Sequence, residues 1–171
     1  MNAMKSSLIA TALMAAAGIA GSAHAATATT TFQVRMIITE SCDISTVTAT
    51  DVDFGTRIRG ATTPIDSQGQ LVVNCSNGTP YNIGLSNGAN PSSATVSASN
   101  RRMTGPGSAT LAYGLFRDAG RTQLWGATIG TDTLSGTGNA SNQSIPVYGR
   151  AISTDAPAGT YTDTVTATIT Y

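Results

Sequence analysis

The strongest constraint on the fold lies at the C-terminal end. From Tyr161 onward, the odd positions carry Tyr161, Val165, Ala167, Ile169 and Tyr171, interrupted by Asp163, and threonine fills the even ones from Thr162 to Thr170. In extended chain, successive side chains point to opposite faces. A period of two therefore gives one face for a core and one for solvent. This is the longest uninterrupted strand signal in the chain. Neither a coiled-coil heptad nor a long amphipathic helix competes with it.

A second alternating stretch spans residues 31–39. Phe32, Val34, Met36 and Ile38 share one face, while Thr31, Gln33, Arg35 and Thr39 share the other with Ile37. A short apolar strand near a free chain end is an aggregation hazard unless a sheet takes it up. That sheet belongs either to the same chain or to a neighbouring molecule. Further strands are expected over 43–47, 52–55, 70–75, 81–85, 111–116 and 145–149. Phe54 is expected in the core, with Gly55 turning the chain. Asn77-Gly78-Thr79-Pro80 and Asp118-Ala119-Gly120 read as turns. Residues 57–69, 86–108 and 130–144 read as loops, with 95–96 a weak strand and the Arg101-Arg102 pair solvated. Pro146 argues for an edge or a bulge. Short strands with turn-rich links indicate an antiparallel sandwich.

The first residues carry an export signature: Lys5, an apolar run from Leu8 to Ala20, and Ala23-His24-Ala25 as a cleavage site, with residues 26–171 as one mature domain. Lys5 and His24 fall within the signal, leaving eight Arg, eight Asp and one Glu. That balance points neither to nucleic acid nor to an anionic membrane surface. In an oxidising compartment Cys42 and Cys75 are expected to form a disulfide, worth about 3–4 kcal/mol on the chain-entropy model. Without a CxxC motif or a mature histidine, a zinc or redox pair is disfavoured. Catalytic arrangements that need His or Lys are excluded from the mature chain. The aspartates sit mostly in turn contexts, and no phosphate-binding glycine loop occurs. Neither an enzyme, a cofactor nor a small-molecule substrate is expected.

Several stretches together resemble the spore coat protein U domain family, which includes subunits of archaic, Csu-type chaperone–usher pili. They are Val52-Asp53-Phe54-Gly55, Leu71-Val72-Val73-Asn74-Cys75, the run from Leu111 to Asp118, Leu124-Trp125-Gly126, Tyr148-Gly149-Arg150, and Ala158 through Tyr171. The resemblance implies an all-β fold: an incomplete immunoglobulin-like antiparallel β-sandwich completed by a donated N-terminal strand. Residues 26–41 would form the donor extension, with Phe32, Val34, Met36 and Ile38 as its inserted side chains. Residues 42–171 would form the body. Tyr161, Val165, Ala167, Ile169 and Tyr171 would make the final strand, facing first a periplasmic chaperone and then the donor. The implied partners are that chaperone, an outer-membrane usher and neighbouring pilin subunits. The implied product is an extracellular fimbria serving adhesion and biofilm formation.

Two other readings remain. One keeps the fold and deposits the protein on a spore or cell surface as a coat. The other is a self-complemented, monomeric carbohydrate-binding module using Trp125, Tyr113 and Tyr148, which requires the N-terminal strand to close its own sheet.

Overall fold

The structure, a computed structural model, describes residues 26–97 and 99–171. The export signal read over residues 1–25 lies outside the described residues. The chain divides into two units, one ending at Ile37 and the other spanning Ile38–Tyr171. In the N-terminal stretch, residues 26–41 are exposed throughout and contribute a strand to neither sheet.

The second unit contains β1 (Cys42–Thr50), β2 (Ile65–Cys75), β3 (Pro80–Leu85), β4 (Arg101–Thr104), β5 (Thr110–Phe116), β6 (Leu134–Thr137), β7 (Gln143–Ala151) and β8 (Ala167–Thr170). They pair antiparallel in two sheets, ordered β1-β2-β7-β5-β4 and β6-β3-β8. The core forms between them, where Val73, Leu115 and Val147 of the larger sheet meet Tyr81, Ile83 and Leu85 of the smaller. Trp125 is fully buried and joins the layers: its backbone N–H donates to the Leu115 carbonyl (2.9 Å) and its Nε1 to the Ile83 carbonyl (2.8 Å). The Cys42–Cys75 disulfide forms as expected, across the first register pair of β1 and β2. The antiparallel sandwich is thus as the sequence indicates.

Several element boundaries differ from the reading above, each because a tertiary partner outweighs local pattern. Val52 and Phe54 do point inward, but residues 51–58 pair with nothing as a strand. They cross the inner face of β2 and β7 where those strands carry glycine. A Cβ at Gly69 would lie 2.5 Å from the Thr50 carbonyl oxygen, and one at Gly149 only 2.4 Å from Val52 Cγ1. The expected loop over 57–69 ends early, because β2 begins at Ile65 and pairs Ile65–Gly69 with Ala151–Val147. The loop over 130–144 contains β6, and the loop over 86–108 contains β4 rather than a strand at 95–96.

Pro146 lies in β7, a central strand, yet β5 pairs with β7 only over Tyr148–Ala151. At Pro146 the strand is therefore locally an edge, where a missing N–H is tolerated. At the C-terminus only Ala167–Thr170 is a strand, and Thr162 makes an isolated bridge with Thr104.

Candidate functional site: an open groove between two sheet edges

The larger sheet ends at β1 and the smaller at β8. A groove of about 670 Å³ is lined by residues of these two strands and of the chain segments beside them, 51–54 and 161–166. Its floor is Leu71, Leu115 and Val147 from the larger sheet with Leu85 from the smaller. Ile44, Val52 and Phe54 form one wall, and Tyr161, Val165 and Ala167 the other. An adjoining cavity of about 540 Å³ shares Phe54, Met103 and Tyr161 and continues to Arg57, Arg59 and Pro157. The groove is lined mostly by apolar side chains, several of which belong to or pack against the core.

The period of two at the C-terminus explains the second wall. Tyr161, Asp163, Val165, Ala167 and Ile169 alternate as half-buried residues with exposed threonines. A strand closing a finished sandwich buries such residues fully. Here Val165, Ala167 and Ile169 pack against the core on one side only. Tyr171 is 58% exposed, so the face fades at the last residue. β8 bonds to β3 alone, and its outer backbone edge carries no partner strand among the described residues. Four of the five residues expected on this face therefore share it. Tyr161 and Val165 do so from extended chain outside β8.

Asp163, the polar interruption, is accounted for by its bonds. Its Oδ2 accepts from the Tyr113 hydroxyl (2.6 Å), and its Oδ1 from the backbone N–H groups of Ala89 and Thr164 (2.8 Å each). Burial, and then the bond to Asp163, push the Tyr113 phenol well above its ordinary value, so it remains a donor. The carboxylate is satisfied without help from anything entering the groove. Tyr161 is fixed by its hydroxyl, which donates to the Pro157 carbonyl (2.7 Å), and by its ring against Gly105.

The residues proposed as a sugar platform do not form one. Trp125 is fully buried, Tyr113 is 5% exposed, and the Arg121 guanidinium covers the Tyr148 ring at 5.7 Å from its centroid. A stacking surface needs an open ring face. Arg101, read as solvated, is instead completely buried. It donates to the backbone carbonyls of Trp125 (2.8 Å), Ser86 (2.9 Å) and Leu85 (3.3 Å). It thus ties edge strand β4 to the end of β3 and to the Trp125 segment. β4 is too short for a periodic signal, and an Arg pair among Asn, Ser and Gly looks like a solvated loop.

Phe32, Val34, Met36 and Ile38 are 84%, 89%, 83% and 86% exposed. The chain thus combines an exposed alternating apolar segment with a sandwich whose groove is flanked by an open edge.

Comparison with known proteins places this architecture. A family model for the Spore Coat Protein U domain matches residues 28–168. Protein U of Myxococcus xanthus is 33% identical over 180 aligned positions, covering 100% of both chains. Among solved structures, the chain is similar to one in the CsuC–CsuE chaperone-tip adhesion subunit pre-assembly complex from archaic chaperone–usher Csu pili of Acinetobacter baumannii. The TM-score is 0.55 with 28% identity, covering 78% of this chain and 40% of that one, so the likeness spans less than half of that chain. The P pilus rod subunit PapA aligns with a TM-score of 0.46 and 16% identity over 76% of this chain and 98% of its own. The sandwich is accordingly of the immunoglobulin-like type seen in pilus subunits. Because the family match runs from the exposed N-terminal segment, through both sheets, into β8, the chain belongs to the Spore Coat Protein U domain family.

Proposed function

We propose that this protein is an exported structural subunit that polymerises by donor-strand exchange into a chaperone–usher pilus at the cell surface. Phe32, Val34, Met36 and Ile38 of one copy fill the groove of the next, and residues 42–171 form the body that receives them. The observation that carries the reading is the half-buried face of Val165, Ala167 and Ile169 beside the open edge of β8. It is matched in period by an exposed apolar segment of the same chain. Alternate residues of a strand are about 7 Å apart, so four inserted side chains span roughly 20 Å. Residues 161–169, at the same spacing, offer roughly 27 Å of complementary wall.

Each inserted side chain removes apolar surface from water on both partners, worth about 1.5–3 kcal/mol per residue before docking costs. A strand added to the open edge also satisfies β8's backbone groups. Because donor and acceptor are different surfaces, the contact is head-to-tail and builds an open filament. Before assembly, the same edge and groove would be covered by a strand of a periplasmic chaperone, which delivers the subunit to an outer-membrane usher. The fibre so formed would serve adhesion and biofilm formation. The likeness to a subunit held in a chaperone–subunit complex supports this order of partners.

The test is the assembly state of the exported protein with and without Phe32→Asp and Met36→Asp, read by sedimentation and by unheated gel ladders. Polymers that vanish in both variants are the expected result. A parent protein that stays monomeric, or variants that polymerise like the parent, would overturn the reading.

A coat role on the same fold is favoured by one observation, the match of residues 28–168 to a family described as the Spore Coat Protein U domain. Immunogold labelling of the producing cell separates the two, since a pilus extends from the surface and a coat lies on it.

A further inference from the structure

Apolar anchors at a uniform spacing bind a groove strongly but specify direction and register weakly, because a shift by two residues places similar side chains in the same positions. The inserting segment is almost free of charge. Arg35 is its one charged residue between Phe32 and Thr39, and Glu40 follows Ile38 by two positions. The groove has charges on its rim, and their sign changes along it. Asp51 lines only the larger groove, Asp53 stands where it meets the adjoining cavity, and Arg57 and Arg59 line that cavity alone. All four are exposed. The turn at Gly55 holds the inner pair in place: Asp53 Oδ1 accepts from the Gly55 N–H (2.7 Å), and Arg57 Nε donates to the Phe54 carbonyl (2.8 Å). Asp163, the remaining carboxylate in the groove, is engaged by Tyr113, Ala89 and Thr164.

We propose that these charges set the direction and register of the inserting segment. Arg35 of one copy lies against Asp51 and Asp53 of the next, and Glu40 against Arg57 and Arg59. The inference rests on the donor-strand reading above. Five residues of extended chain separate Arg35 from Glu40, about 17 Å. This lets each reach its own half of a rim that crosses from aspartate to arginine within residues 51–59. In this direction Phe32 points toward Ala167 and the segment runs antiparallel to the Tyr161–Ile169 wall. The opposite direction brings Glu40 to the aspartate half, like charge against like. Rim charges act mainly on the rate and fidelity of docking, while the apolar anchors carry its durability.

The experiment uses the full exported chain in four forms: parent, Arg35→Glu, Asp51→Arg, and the double variant. Each interface in a head-to-tail polymer contains one donor and one acceptor, so the double variant restores an opposite-charge pair at every junction. Polymer formation is followed by light scattering at low and high salt, with circular dichroism to confirm that each variant folds. Arg35→Glu is expected to slow assembly about tenfold at low salt, with the gap closing as salt screens the rim. The double variant is expected to recover to within about threefold of the parent. Asp51 is chosen because Asp53 also supports the Gly55 turn. Unchanged assembly of Arg35→Glu at low salt, or a folded double variant no faster than the single ones, would overturn the register. A parent that does not polymerise would instead overturn donor-strand exchange itself.

Discussion

Replacing Arg101 by methionine tests how the two layers are held together. The guanidinium is wholly buried and bonds to three backbone carbonyls at 2.8, 2.9 and 3.3 Å. Burial draws its pKa down, opposed by the fields of Tyr113, Asp163 and Asp132, and an arginine so placed still stays charged. Hydrogen bonds to a charged group are worth about 1.5–3 kcal/mol each, and an orphaned buried carbonyl costs about 1–3. Methionine fills much of the space and avoids burying a charge, which offsets part of the loss. Arg101 Nη1 also makes no hydrogen bond among the described residues, so one donor is already uncompensated. A net loss of about 3–5 kcal/mol is expected for Arg101→Met. Arg101→Lys, which keeps the charge but not the fork, should lose about half as much. Trp125, the sole tryptophan and fully buried, reports unfolding directly. Urea titration of the monomer followed by its fluorescence should show a lower midpoint at unchanged slope. A loss below about 1 kcal/mol would refute the claim that these carbonyls depend on Arg101.

Cys42→Ser with Cys75→Ser should lower the stability of the body by about 3–4 kcal/mol in the same titration, since the bond closes a loop of separation 33. Gly88→Ala should loosen the groove wall. Gly88 has φ +80°, and an added Cβ would lie 2.0 Å from Asp163 Oδ2, so faster hydrogen exchange of residues 161–166 is the expected readout. Asp66 is held below the ordinary carboxylate range by its hydrogen bond from Arg150, with the charges of Arg121 and Arg150 adding to it and burial opposing. A depressed folded pKa contributes stability above the unfolded value of about 3.9, lost as pH falls through the folded value. Asp66→Asn should therefore be less stable than the parent at pH 6, with the difference fading as pH falls below the unfolded value of about 3.9. Parallel pH–stability curves would contradict it.

The parts of this fold legible in the sequence are those where a residue's face is set by its own strand. The alternation from Tyr161 to Thr170 marks both the inward face and its exposed counterpart, and Leu111–Phe116 and Tyr81–Leu85 fall within β5 and β3. What local pattern missed depends on partners distant in the chain. Ile65–Gly69 is a strand because Val147–Ala151 pairs with it, with Asp66 outward against Arg150 (2.7 Å). Leu134–Thr137 is one because it covers the edge of β3. Conversely, Val52–Gly55 has the composition of a strand and lies where no ladder is open to it. The groove was legible only as a paired deficit, a surplus apolar segment near one end and a strongly alternating one at the other.

The place of the disulfide has a mechanical meaning if the chain assembles head to tail as proposed. On the proposed reading, load along a fibre passes from the groove of one subunit into residues 32–38 of the next and enters that body at Cys42. β1 is an edge strand paired only with β2, and Cys42 opposite Cys75 is the first pair of that ladder. Tension at such an end would unzip an antiparallel pair one step at a time, and forced opening is governed by the unfolding rate. The covalent bond sits at the pair that would open first. It carries load across to β2, which pairs with β7 from Ile65 to Val73 in the middle of the larger sheet. The receiving end has no such bond and relies on β8, which is held by β3 and by the packing of Val165, Ala167 and Ile169. In a loaded fibre the inserted strand and its groove are therefore the sites that yield. The donor's own β1 yields there only when Cys42 and Cys75 are reduced.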